Sequence, residues 1–208
     1  MAYSAQDLET MDSIIERYPR SRSAIMPLLH FVQSRVGFVN GKGIELIAKL
    51  LTLETAEVSA VATFYTQYKR KPVGEYHVGV CTNTLCAVMG GDAIFAGLKE
   101  HLGVENDGVT SDGKVSLEHI ECNAACDYAP VVMANWEFYD NQTVQSSKDL
   151  VDSMRNGYPT PPTRGPNTLV TLKEASAVLA GINDGKANEG VQAGEPSLLG
   201  LKLSKEGK

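Results

Sequence analysis

The sequence predicts a protein of mixed α+β and α/β class, in which an N-terminal helical bundle precedes an α/β domain and an extended C-terminal tail. Three observations support this prediction. Residues 1–70 carry apolar side chains at helical spacing, residues 71–158 alternate between strand-like and helix-like segments, and residues 159–208 open with a proline-rich stretch. These three ranges are the predicted domains.

Residues 1–70 contain four apolar faces with the spacing of amphipathic helices. Pro19 ends the first helix, Ser23 is expected to cap the second, and Gly37 is expected to end it. The four faces are Leu8, Met11, Ile15 and Tyr18; Ile25, Leu28, Leu29, Val32 and Val36; Ile44, Ile47 and Leu51; and Val58, Val61, Ala62 and Tyr65. Such helices, joined by short turns, predict a small bundle.

Residues 71–158 contain strands that alternate with helices. The segment PVVMANWEFYD offers a third strand and a fourth around the turn residues Asp140-Asn141. In chain order the predicted segments are a strand at 75–81, a helix at 91–103, a strand at 114–122, the strands within 130–140 and a helix at 146–157. This order is typical of an α/β domain.

Residues 159–208 differ in composition from what precedes them. The segment YPTPPTRGP holds four prolines in nine residues and is expected to be extended. Thr171 and Glu174 have the spacing of a capping box for a short helix. Residues 183–208 are rich in Gly, Lys and Glu. We expect this tail to be disordered or to lie along a partner.

Composition excludes several functional classes. The 208 residues are 43% hydrophobic and 21% charged, with a net charge of −6 and no basic patch, so nucleic acid is not an expected partner. No apolar run approaches the length of about 18 residues that crosses a bilayer, so direct membrane insertion is not expected. The N-terminus lacks a signal peptide, which favours a cytosolic protein. No G-x-G-x-x-G follows a strand, so no dinucleotide or flavin site is expected here.

All the cysteines of the chain occur in two short segments. Cys81 and Cys86 form a C-x4-C pair, and after 35 intervening residues Cys122 and Cys126 form a C-x3-C pair. Each pair follows a predicted strand, so each lies in a loop. Clustered cysteines in a cytosolic protein are more often metal-binding or catalytic than disulfide-bonded. The two pairs therefore predict a site of four thiolates.

Several chemistries compete for four thiolates. A thioredoxin-type dithiol needs C-x-x-C, which neither pair has, and disulfides suit a secreted chain. A structural zinc site with four cysteine ligands stays open. A Rieske centre would need histidines within the loops, and His77 and His119 lie on the strands before them. The spacing favours a 2Fe–2S cluster, which takes two thiolates on each iron from two loops of small residues.

Together with the cysteines, the segments RYPRSRSAIMPLLHFVQ, EVSAVATFYTQY and CNAACDYAPVVMAN resemble one family. Over about residues 10–165 the chain is similar to the small 2Fe–2S subunit of the NADH dehydrogenase module of respiratory complex I, the NuoE type. The resemblance implies a helical bundle followed by a thioredoxin-like 2Fe–2S ferredoxin domain. It also implies that Cys81, Cys86, Cys122 and Cys126 are the iron ligands.

The implied role is electron transfer within an NADH:quinone oxidoreductase. In this family a larger flavoprotein subunit, the NuoF type, binds FMN and NADH, and the small subunit's cluster exchanges single electrons with that flavin. Other partners would be further peripheral-arm subunits, placed on the cytoplasmic side of the membrane. The same module occurs in NAD-reducing hydrogenases and NAD-dependent formate dehydrogenases, and the rival of a different class is a zinc-binding module.

Two positions in the second cysteine loop carry specific expectations. Many family members have a glycine within this loop, where this chain has Asn123, Ala124 and Ala125. If the loop needs a positive φ there, alanine is costlier than glycine. Ala129-Pro130 precedes the predicted third strand, where thioredoxin-like folds often place a cis proline.

Overall fold

The computed structural model describes residues 3–191 and 193–207, and these form two compact units. The first unit comprises residues up to 73 together with 171–184, and the second comprises 74–170 together with residues from 185 onward. The predicted bundle and tail also include residues 1, 2, 192 and 208, which lie outside the described residues.

The described residues contain helices in both units and one sheet in the second. In chain order the elements are α1 (Ala5–Ile15), α2 (Ile25–Val36), α3 (Gly41–Leu51), α4 (Thr55–Phe64), β1 (Tyr76–Cys81), α5 (Thr84–Val88), α6 (Gly91–Leu102), β2 (Gly108–Val109), β3 (Val115–Ile120), β4 (Val132–Ala134), β5 (Glu137–Tyr139), α7 (Val144–Arg155), α8 (Leu172–Leu179) and α9 (Glu195–Lys205). Short 3-10 helices occur at Ser21–Ala24 and Cys126–Tyr128. No described helix is long and apolar enough to cross a membrane.

The first unit is a helical bundle with the four helices that the apolar spacing predicts. Gly37 ends α2 in the left-handed region, at φ 92°, as expected of a helix-ending glycine. Ser23 does not cap α2, because it lies inside the 3-10 turn that precedes the helix, and Ala24 occupies the cap position. The chain therefore enters α2 from an already helical turn, which reduces the need for a capping side chain.

A fifth helix, α8, completes this bundle from the C-terminal part of the chain. Thr171 and Glu174 form the predicted capping box at its start, and Leu172 and Ala175 are buried. α8 packs against α2, where the buried Gln33 side chain donates to the Ser176 hydroxyl at 3.1 Å. The sequence interpretation placed this helix in an extended tail. The structure differs from this interpretation because α8 packs on α2, which lies more than a hundred residues away in sequence. No local sequence pattern can indicate that contact.

The second unit is built on a five-stranded sheet of order β2-β3-β1-β4-β5. β1 and β3 are parallel, with Cys81 opposite Ile120, and the remaining neighbours are antiparallel. α6 and α7 cover one face, against Val78 and Val80 of β1. Because side chains alternate along a strand, Cys81 points to the opposite face. There it packs with a smaller apolar cluster that includes Ile120 and Met133.

The hairpin between β4 and β5 turns earlier than the sequence suggests. The turn residues are Asn135 and Trp136, at φ 49° and 76°, rather than Asp140-Asn141. Two successive positive φ values define the hairpin turn whose twist matches that of the strands. Tertiary bonds hold Asn135 there, since its Oδ1 accepts from the His77 amide at 2.7 Å and its Nδ2 donates to the Val170 carbonyl at 2.8 Å. A tryptophan in this conformation gives no turn signal in sequence.

The C-terminal part of the second unit is ordered against the domain. We call residues 185–191 and 193–197 the C-terminal strap. The Gly165 amide donates to the Val191 carbonyl at 2.8 Å, and the Lys186 ammonium donates to the Thr168 hydroxyl at 2.8 Å. The strap leads into α9, a second helix that the sequence interpretation did not predict within the tail.

Candidate metal centre

The two cysteine loops follow the neighbouring parallel strands β1 and β3. Cys81 is the last residue of β1, and Cys122 lies two residues beyond the end of β3. Parallel neighbours end at the same edge of a sheet, so both loops leave the sheet side by side. Both cysteine pairs follow strands as predicted, but Cys86 lies in the short helix α5 and Cys126 begins a 3-10 helix.

The first loop contains a short helix that the sequence interpretation did not predict. α5 carries Cys86, which packs in the same small apolar cluster as Cys81. Both are buried, with 2% and 3% of their surface exposed. Burial raises the pKa of the Cys86 thiol to about 11, and the backbone amide of Val131 opposes this rise.

The second loop presents its thiols to solvent. The Sγ atoms of Cys122 and Cys126 lie 3.5 Å apart, and both residues are exposed. The hydrogen bond with Cys122 raises the pKa of Cys126 above its usual value, and the nearby Cys81 sulfur raises it further. Because Cys81 contributes to the raised pKa of Cys126, the two cysteine pairs interact electrostatically.

Backbone geometry in the second loop has the strain that the alanine sequence predicted. Ala124 has φ 56°, and its amide donates to the Cys122 sulfur at 3.4 Å. The left-handed φ of Ala124 is a conformation that glycine adopts more readily than alanine. The Ala129–Pro130 bond is cis, as expected of the proline before this strand.

Gly91 belongs to the Gly90-Gly91 turn that the sequence places near the cluster, and the structure adds a steric reason for the glycine. It begins α6, and a Cβ at this position would collide with the carbonyl groups of Cys81 and Cys86. α6 therefore starts directly against the first cysteine loop, and any larger residue would displace the loop's backbone. The pair Gly90-Gly91 was a sequence signal for this, although its cause is visible only in the fold.

The four thiols, and the hydrogen-bond donors around them, are chemically suited to hold a 2Fe–2S cluster. Soft thiolates are the ligands that iron–sulfur clusters require, and amide donors aimed at the sulfurs stabilise their negative charge. Such donors are the Val131 and Ala124 amides, with the Asn83 side-chain amide 4.0 Å from the Cys81 sulfur. Among the described residues, no three His, Cys, Asp or Glu side chains converge as ligands of one metal ion. The thiols are arranged as two pairs.

Comparison with known proteins identifies a family. Residues 11–155 match the family described as thioredoxin-like [2Fe-2S] ferredoxin. The E subunit of NADH-quinone oxidoreductase from Mycobacterium bovis is 58% identical over 194 residues, which are 93% of this chain and 77% of that protein. The protein of the same name from Rickettsia bellii is 39% identical over 158 residues, which are 74% of this chain and 95% of that protein.

A solved structure shares the fold. A crystal structure of NAD+-reducing [NiFe]-hydrogenase in the air-oxidized state aligns with 65% of this chain at a TM-score of 0.58 and 17% sequence identity. The alignment covers 23% of that hydrogenase chain. At this identity the likeness concerns the fold alone.

Proposed function

Because the chain belongs to the thioredoxin-like [2Fe-2S] ferredoxin family and is a NuoE-type subunit, we propose that Cys81, Cys86, Cys122 and Cys126 are the ligands of its cluster. The chain is an electron-transfer subunit of an NADH-quinone oxidoreductase and carries one 2Fe–2S cluster. When bound, such a cluster accepts and releases a single electron. The proposal concerns which residues hold it.

The observation that carries this assignment is the grouping of the four sulfurs in two pairs. Cys122 and Cys126 are 3.5 Å apart at Sγ, and Cys81 and Cys86 are buried in the same small apolar cluster. A 2Fe–2S cluster takes two thiolates on each iron, so each cysteine pair would supply the two protein ligands of one iron. A single zinc ion would instead require all four sulfurs to converge tetrahedrally on one point.

The protein's contribution is to hold the sulfurs and to balance their charge. The Ala124 amide donates to the Cys122 sulfur within the second loop, and the Val131 amide, which follows that loop, acts to lower the pKa of the Cys86 thiol. Hydrogen bonds to sulfur ligands and the degree of solvent exposure set the potential of such clusters. One pair is buried and the other exposed, so the two irons would have different surroundings.

We propose the flavoprotein subunit that binds FMN and NADH, the NuoF type, as the neighbouring partner. Leu85, Val88 and Met89 follow Cys81 and flank Cys86, and 43%, 81% and 55% of their respective surfaces are exposed. Exposed apolar side chains grouped at one place mark an interaction surface. A partner there would approach the first cysteine loop, with the complex attached to the cytoplasmic side of the membrane.

The alternative function, as the equivalent subunit of an NAD-reducing hydrogenase, is supported only by the similarity of fold.

Replacement of one ligand tests the assignment. In Cys122→Ser we expect the visible absorbance and the EPR signal of the dithionite-reduced protein to be lost or strongly altered, because a hydroxyl is a poor ligand for iron in place of a thiolate. The matched control is Asn123→Ser in the same exposed loop, which should retain two irons per chain. Unchanged iron content and spectra in Cys122→Ser would refute the ligand set. One zinc per chain without iron would support the zinc module instead.

A further inference from the structure

The two cysteine pairs differ sharply in their access to solvent. Cys81 and Cys86 are 2% and 3% exposed, beneath the apolar cluster on that face of the sheet, whereas Cys122 and Cys126 are exposed. A reagent dissolved in water therefore reaches the second pair first. All four thiols are proposed ligands, but only Cys122 and Cys126 are exposed to an oxidant in solution.

The exposed pair also has the geometry from which a disulfide forms. The Cys122 and Cys126 sulfurs are 3.5 Å apart, and three residues separate them in an irregular loop. A disulfide needs these atoms to approach to about 2.0 Å. The sulfurs are therefore about 1.5 Å from bonding distance, which side-chain rotation and a small loop movement supply.

We propose that Cys122 and Cys126 form an oxidisable dithiol that controls cluster insertion. In a chain that has not yet received its cluster, a small-molecule disulfide converts this pair into an intramolecular disulfide. The oxidised chain then lacks two of the four thiolates. The proposal rests on the ligand set given under Proposed function, because only then does the loss of this pair block the cluster.

The chemistry consists of two exchange steps with a low-molecular-weight disulfide such as oxidised glutathione. One thiol of the pair loses its proton to solvent and attacks the glutathione disulfide, which forms a protein–glutathione bond and releases one glutathione. The second thiol loses its proton and attacks the protein sulfur of that bond, which forms the Cys122–Cys126 bond and releases a second glutathione. The protein loses two electrons and two protons, and the glutathione disulfide gains both.

The buried pair remains in the dithiol state under the same treatment. The first exchange step needs direct contact between a protein sulfur and the glutathione disulfide, and the surface of Cys81 and Cys86 is almost fully covered. Two free thiols should therefore persist. Reduction by dithiothreitol reverses the exchange and restores the complete set of ligands.

The test uses the full chain, stripped of iron with a chelator, reduced, and then incubated with oxidised glutathione. We expect the free thiols to fall from four to two and the mass to fall by about 2 Da, with a peptide linkage between Cys122 and Cys126. Incubation with ferrous iron and sulfide should then yield no 2Fe–2S absorbance until dithiothreitol is added. Four remaining thiols, or a linkage of Cys81 to Cys86 at an equal rate, would overturn the proposal.

Two double variants separate the pairs. Cys81→Ser with Cys86→Ser keeps the exposed pair and should lose both remaining thiols to oxidised glutathione, whereas Cys122→Ser with Cys126→Ser should keep both. Peptide mapping of the wild-type chain gives the same answer if either variant fails to fold. If the reduced, untreated chain takes up no 2Fe–2S cluster, the ligand assignment fails. If it takes one up and the glutathione-treated chain does so equally, this proposal alone fails.

Discussion

Ala124 has the backbone conformation that its side chain disfavours, in the loop where the cluster ligands are expected. Its φ is 56°, and its amide donates to the Cys122 sulfur at 3.4 Å. A β-carbon in the left-handed region costs roughly 1 kcal/mol relative to glycine. The sequence analysis expected alanine to be costlier than glycine if this loop needed a positive φ, and the structure has a positive φ at Ala124.

Replacing Ala124 with glycine should therefore stabilise the second unit. In Ala124→Gly we expect the unfolding free energy to rise by about 1 kcal/mol, because the left-handed strain is removed. The measurement is urea unfolding followed by the fluorescence of Trp136, the only tryptophan of the chain, which lies in this unit. The matched control is Ala125→Gly, at φ −106° and buried, which should lower stability. Equal losses in both variants would show that Ala124 is not strained.

At Gly91 the sequence predicts a turn but does not reveal why a side chain is excluded there. The sequence reveals two adjacent glycines after Cys86, and it indicates a turn before a helix. Which of the two is sterically required depends on the carbonyl groups of Cys81 and Cys86, which press against the start of α6. No local pattern carries that information, because the contact forms only when the first cysteine loop folds back on the helix.

Among the elements, the C-terminal strap is the one that reaches the candidate metal centre from a distance. Gly194 lies directly against the Tyr128 hydroxyl, and the Ser197 hydroxyl donates to the Asp127 carboxylate at 3.3 Å. Tyr128 is held on its other side by the Arg164 guanidinium, 5.2 Å from its ring centre. The strap thus packs on the two residues that follow Cys126.

A side chain at Gly194 should displace this strap. In Gly194→Ala the added methyl would overlap the Tyr128 hydroxyl, so the strap or the tyrosine must move. We expect faster hydrogen exchange at the Gly165 amide, which donates to Val191 within the strap, and faster cluster loss to a chelator. Gly200→Ala in α9 is the matched control, since a methyl there meets no neighbour. Unchanged exchange at Gly165 in Gly194→Ala would contradict the packing.

The short strands were the hardest elements to predict. β4 and β5 have three residues each, and β2 has two, so their alternation is too brief to distinguish strand from loop. Their pairing follows from β1 and β3, whose longer buried runs the sequence did indicate. The hairpin turn shifted to Asn135-Trp136 because bonds to His77 and Val170 hold Asn135 there.

For the whole molecule, one exposed apolar surface is the group of side chains beside the first cysteine loop. Val88 is 81% exposed, and Leu85 and Met89 are half exposed. If this group contacts the flavoprotein subunit, a charge placed there would lose its water on assembly without a compensating partner. Folding of the free chain should be little affected, because the side chain is already in solvent.

Val88→Asp should therefore weaken assembly specifically. Co-purification of the complex from cells, with its subunits identified, should recover the flavoprotein subunit at least tenfold less with this variant, the factor that corresponds to about 1.4 kcal/mol. Val191→Asp is the matched control, since Val191 is 61% exposed on the strap of the same unit. Equal recovery with Val88→Asp and the wild type would place the interface elsewhere on the chain.

Local sequence patterns were sufficient to predict the helical faces of the bundle, the buried strands β1 and β3, and the grouping of four cysteines at strand ends. Periodicity and spacing carry these features because they arise from residues close together in the chain. Three other features became visible only in the folded chain: α8 joins the bundle through Gln33, Gly91 must lack a side chain, and one cysteine pair is buried while the other is exposed. Burial and close packing depend on residues far apart in sequence, which meet only when the chain has folded.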